Sequence, residues 1–205
     1  MNSLIKKLVA CFAAVTLALS MTLTAAAEMT LNAAADMIMT DEADDSDVEP
    51  RSSSNIRMLQ QQYPSGSRFT GSFDGATQCM GFAYYCYYMY NDEHVNETIP
   101  DYDREYYSLE SDDNLERFLR KAGTQCYVRG LTKNGSVHSI FIVNYSTSGD
   151  TVTVYDCNMD GNCGVLFDTY TYNINNTTYK DFRIHMNKVL FCYTSDGEFY
   201  DYTNL

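Results

Sequence analysis

At Gly123 the hydrophobic pattern of this chain changes its period. Just before it, Leu115, Phe118, Leu119 and Ala122 fall at i, i+3, i+4 and i+7, one face of a helix. Ser111 stands where an N-cap belongs, and Asp112, Asp113 and Glu116 follow it. Arg117, Arg120 and Lys121 gather at the other end and Gly123 stops the helix, so the charges follow its dipole. After Gly123 the period becomes two. Residues 126–129 read as a strand, Lys133-Asn134-Gly135 as a turn, 137–145 as a strand, 147–150 as a hairpin turn and 151–158 as the returning strand. Residues 165–172 and 182–193 add two more strands. Upstream, 55–62 reads as a short helix ended by Pro64, and 91–108 as a long polar loop. Helices followed by an antiparallel sheet make an α+β chain.

One earlier stretch is chemically pointed. Gly75-Ala76-Thr77-Gln78-Cys79-Met80-Gly81-Phe82-Ala83 delivers a cysteine from a polar turn into a strongly apolar helix. With Thr77 as N-cap, Cys79 takes the second helical position, at the positive end of the dipole. There a thiol pKa falls and a thiolate becomes available. Phe82, Ala83, Cys86, Tyr87 and Tyr90 continue an apolar stripe, and Tyr84, Tyr85, Tyr88 and Met89 opposite are hardly more polar, so the helix is expected to be buried. On this stretch alone, an inert or disulfide-bonded cysteine is the competing reading.

The hairpin supplies a partner for the thiol. Alternation puts His138, Ile140 and Ile142 on one face of the first strand, and Val152, Val154, Asp156 and Asn158 on one face of its return. If both apolar sets enter one core, Ile142 pairs with Val154. That register sets Asn158 opposite His138 and Asp156 diagonal to it. His94 lies in a polar loop and His185 follows Phe182 in the last strand region; alternation places partners for neither. A thiol at a helix start, an imidazole at a strand start and a polar group to orient that imidazole form a nucleophilic constellation. The imidazole takes the thiol proton and later protonates the leaving amine.

Charge and chain organisation bound where such chemistry would operate. Lys6 and Lys7, an apolar run from Leu8 to Leu23 and the small residues Ala25-Ala26-Ala27 read as a secretory signal peptide over 1–27. Residues 28–54 are acidic and then Ser-rich, a linker or pro-segment. Residues 55–193 are the size of one domain, and 194–205 read as a C-terminal tail. No later run is long enough to span a membrane. A formal charge of −13 argues against nucleic acid and anionic membranes as partners. Loss of the signal peptide removes Cys11 and leaves six of the seven cysteines. The domain has ample apolar residues for a core, so a full disulfide framework is not required. Cys157 and Cys163 bracket a tight Asn-Met-Asp-Gly-Asn loop and are the expected bridge. Asp156 to Gly161 opens like an EF-hand calcium loop, but its twelfth position is Phe167 and no flanking helices are visible. Apart from Cys157 and Cys163, the cysteines and histidines lack the paired short spacing of a zinc site as well, so no metal and no cofactor are expected.

Three motifs in order, Gln78-Cys79-x-Gly81-Phe82-Ala83, Val137-His138-Ser139-Ile140-x-Ile142-Val143 and Val154-Tyr155-Asp156-Cys157-Asn158, resemble the CHAP branch of the NlpC/P60 superfamily. The resemblance covers residues 65–192 and implies a papain-like fold of the NlpC/P60 type, with a catalytic helix packed on an antiparallel sheet. It implies a secreted bacterial cysteine amidase or endopeptidase acting on peptidoglycan peptides. By the same resemblance Cys79 is the nucleophile, His138 the base, Asp156 the orienting acid and Asn158 an auxiliary polar residue, with the Cys79 backbone N–H in the oxyanion hole. Asp156 departs from the family's more frequent Glu, and the shorter acid leaves Asn158 as an alternative orienting group, as in papain-like sites. The expectation is a monomeric hydrolase of peptidoglycan or peptide. The alternatives are a protease or transpeptidase on a protein substrate, and a catalytically silent module that binds glycan or protein through its Tyr-rich loops.

Overall fold

The computed structural model describes residues 51–95 and 105–205, with side chains from Ser54 onward. The signal peptide, nearly all of 28–54 and the middle of the 91–108 loop lie outside the described residues. In chain order the elements are α1 (Arg51–Gln62), β1 (Ser72–Phe73), β2 (Ala76–Thr77), α2 (Gln78–Asn91), β3 (Tyr107–Ser108) and α3 (Asp112–Ala122). Then come β4 (Cys126–Leu131), β5 (Val137–Ser146), β6 (Thr151–Cys157), β7 (Val165–Thr171), β8 (Lys180–Asp181), a 3₁₀ turn (Phe182–Ile184), β9 (Lys188–Tyr193) and β10 (Phe199–Asp201).

The helix before Gly123 forms as its periodicity dictates. Ser111 Oγ accepts from the Asn114 N–H at 3.2 Å, a cap worth about 1 kcal/mol. Gly123, at φ +74°, donates its N–H to Leu119 O at 2.9 Å and ends the helix. Leu115, Phe118, Leu119 and Ala122 are buried. They pack with Val128, Ile140, Ile142, Val152 and Val154 in one of two cores. The second core gathers Phe82, Ala83, Tyr84, Cys86 and Tyr87 of α2 with Tyr127, Phe141, Val143 and Tyr155. The sheet is therefore covered on both faces. This explains why β5 alternates Phe141 and Val143 with Ile140 and Ile142 where a half-solvated strand would carry polar residues.

The strand order is β10-β9-β4-β5-β6-β7-β8, with β3 also paired to β9. Ile142 lies opposite Val154, as alternation predicts, and the register slips between Ile142 and Asn144. Four expectations need correction. The sheet is mixed, because residues 172–179 loop back without closing a tight hairpin and the short β8 runs parallel to the end of β7. Residues 182–193 are not one strand. Asp181 Oδ1 accepts the Arg183 N–H at 3.0 Å, and the buried Arg183 side chain donates to Leu109 O at 2.7 Å and to Asp112. These bonds curl the backbone into the 3₁₀ turn before β9 starts. Residues 194–205 do not form a free tail: Thr194 and Glu198 close a turn and β10 pairs with β9. The loop expected at 91–108 likewise ends in β3 on the edge of β9. Among the described residues no helix is long and apolar enough to cross a membrane.

Candidate active site

Cys79 enters the site from the β1–β2 hairpin. Thr77 is the N-cap of α2 by position, and Cys79 is the second helical residue, as expected. The cap hydrogen bond is not made: Thr77 pairs with Ser72 in the hairpin and its side chain accepts nothing from the helix. Gln78 carries the turn into the helix at φ +54°, a left-handed conformation that non-glycine residues rarely adopt. Gly81 lets the helix start lie against the hairpin, since a Cβ there would come within 2.3 Å of Ala76 O.

His138 is the second residue of β5, opposite Gly130 of β4. Its side chain interacts with that of Cys79. Nε2 donates to Asp156 Oδ1 at 2.8 Å, which leaves Nδ1 for the thiol. Asp156, on β6, is fully buried at 0 % exposure. Its other oxygen, Oδ2, accepts from His185 Nδ1 at 2.5 Å. Because an ionised carboxylate only accepts, both imidazole nitrogens facing it carry protons.

The electrostatics follow from these contacts. Burial pushes the Cys79 thiol up, but the hydrogen bond and charge of His138, the backbone of Ser139 and the charge of Arg129 outweigh it, so the thiol lies below its ordinary value. Burial pulls the His138 imidazole down, and its bonds to Asp156 and Cys79 more than offset this, raising it to about 9. Burial also opposes ionisation of Asp156, yet the two imidazole donors hold its carboxyl below the ordinary range. Arg129 is fixed nearby through Nη1, which donates to Ser139 Oγ at 2.9 Å, and Ser139 Oγ also meets the Tyr127 hydroxyl at 2.9 Å.

Of the residues singled out in the sequence, Cys79, His138 and Asp156 come together. Asn158 does not face His138. β6 ends at Cys157, and Asn158 turns out of the ladder at φ +72°. Its Oδ1 accepts the Cys163 N–H at 2.8 Å, and its Nδ2 donates to Gln78 Oε1 at 3.3 Å. Asn158 thus ties the 158–164 loop to the residue before the cysteine, and Asp156 alone of the two meets the imidazole. Cys157 and Cys163 are free thiols rather than a bridge. Hydrogen bonds close their loop instead, with Asp160 Oδ1 accepting from Asn162 N–H at 2.8 Å and Gly164 N–H at 3.1 Å. Burial, and then the neighbouring Cys163, push the Cys157 thiol up to about 12. Asp156, the first residue of the calcium-like hexapeptide, points into the core toward two histidines and away from that loop.

The sequence pattern does not reveal His185, because residues 182–193 read as one strand. The only signal was Asp181 as a cap ahead of it, which places His185 at the end of a short turn. Among the described residues, His138, Asp156 and His185 are the one set with ligand atoms close enough to hold a metal ion, all within 4.8 Å of one another. Compared with family models, curated proteins and solved structures, the chain matches none.

Proposed function

We propose that this protein is a cysteine hydrolase of papain-like type that cleaves amide bonds by a Cys79–His138–Asp156 mechanism. The observation that carries the reading is the chain of contacts from thiol to imidazole to buried carboxylate, on a cysteine at a helix start. In this mechanism the Cys79 thiolate attacks the carbonyl carbon while His138 holds the proton on Nδ1. The Cys79 backbone N–H, one of the helix-start donors without an intrahelical partner, stabilises the developing oxyanion. Imidazolium then protonates the leaving amine, leaving a thioester on Cys79. Water attacks the thioester with His138 as base, releasing the acid and restoring the thiol. Asp156 accepts from Nε2 throughout and fixes the ring's tautomer.

The three-motif resemblance to CHAP-type domains supports peptidoglycan peptides as the substrate class and, with the signal-peptide pattern, an exported enzyme. The test is amine release from purified peptidoglycan by the chain lacking residues 1–27. Wild type should release new amines, and Cys79→Ala should fold identically and release none. Equal release by both proteins would refute the assignment.

A further inference from the structure

Asp156 is a carboxylate with no access to water, so each of its oxygens needs a donor from the protein. His138 supplies one to Oδ1 and His185 supplies the other to Oδ2. We infer that His185 is a positioning residue of the site: it holds the Asp156 carboxylate at the rotation that aims Oδ1 at His138, and so acts on Cys79 through two intervening groups. The inference rests on the proposed hydrolase reading.

His185 is itself held. Its backbone N–H donates to Phe182 O at 2.9 Å, closing the 3₁₀ turn. Its ring packs on Tyr170 of β7 with centroids 4.3 Å apart, and only 4 % of the residue is exposed. The turn reaches this depth because β4 has glycine at position 130. A Cβ there would meet Lys188 O at 1.9 Å and Met186 Sδ at 2.6 Å. The same Gly130 lies opposite His138, so the close approach of Met186 and Lys188, just after His185, falls on the strand neighbouring His138. The titratable groups around it are Asp156 from β6, His138 from β5, Tyr170 from β7 and, beyond His138, Cys79 from α2.

A metal ion held by the same three residues is the rival use of this cluster. The closed set of hydrogen bonds and the thiol on the far side of His138 favour the positioning role. The test measures the pH dependence of Cys79 alkylation by iodoacetamide in the chain lacking residues 1–27. His185→Leu, which removes the donor, should lower the rate at pH 6 about tenfold, the kinetic equivalent of losing a hydrogen bond to a charged group. His185→Asn, whose Nδ2 can replace the lost Nδ1 donor, should restore most of it. A folded His185→Leu protein with the wild-type profile would overturn the inference. So would stoichiometric zinc binding by the wild type that His185→Leu abolishes. If His185→Leu does not fold, the wild type decides: the Nδ1–H proton resonance of His185 should move when Cys79 is alkylated, and an unmoved resonance overturns the inference. The hydrolase reading fails separately, if wild-type Cys79 alkylates like an ordinary thiol and His138→Ala changes nothing.

Discussion

Asp156 and Asn158 sit two positions apart and do different jobs. Asp156 stays in the ladder and accepts from two imidazoles, whereas Asn158 leaves it at positive φ and bonds the loop and Gln78. Asp156→Ala should therefore lower kcat roughly a hundredfold or more. Asn158→Ala should cost less, provided circular dichroism shows both folded; the reverse ranking would return orientation of the imidazole to the amide. The pH profile follows from the same contacts. The His138 imidazole keeps its proton up to about 9, and the proposed mechanism needs that proton for the leaving amine. Activity should fall as pH rises through about 9, and the acid limb should lie below the ordinary thiol value because the Cys79 thiol is lowered. A kcat/KM profile still rising past pH 10 would count against His138 as the proton donor.

At the scale of elements, Gly130 shows how a residue without a side chain shapes the site. Gly130→Ala should force Met186 and the start of β9 away from β4, costing about 1–3 kcal/mol as overpacking does. Denaturant unfolding that finds it neutral would mean that β9 gives way freely. The same position explains what the sequence concealed. The capped helix α3 and the Ile142–Val154 register were legible because caps, periods and turns act between near neighbours. Cys79, His138 and Asp156 came within reach because each lies on one of those elements. His185 did not, since its place depends on Arg183 bonding across to Leu109 and on Gly130 lying bare, contacts set by tertiary packing. Asn158 departs from the alternation because β6 ends one residue before it and the backbone there turns left-handed. The parallel β8 and the edge strand β10 carry only two and three residues, too few for any period to register.

Across the whole described molecule, two cores enclose the sheet and leave its thiols in sharply different surroundings. Burial pushes the thiols of Cys86, Cys126, Cys157 and Cys192 up, whereas that of Cys79 is held down by an imidazole, a backbone contact and a guanidinium. Tyr155 ties α1 into this arrangement, donating to Leu59 O and meeting Tyr63 O while its ring stacks on Phe82 of α2 at 5.2 Å. The protein thus carries its own internal controls for thiol reactivity. The most direct measurement is limited alkylation of the native, fully reduced chain at pH 6, with the modified cysteine located by mass spectrometry. Cys79 should be modified first, ahead of the partly exposed Cys163, and His138→Ala should abolish that preference. Modification of Cys163 ahead of Cys79, or a preference for Cys79 that survives loss of His138, would contradict the Cys79–His138 pair on which the proposed chemistry rests.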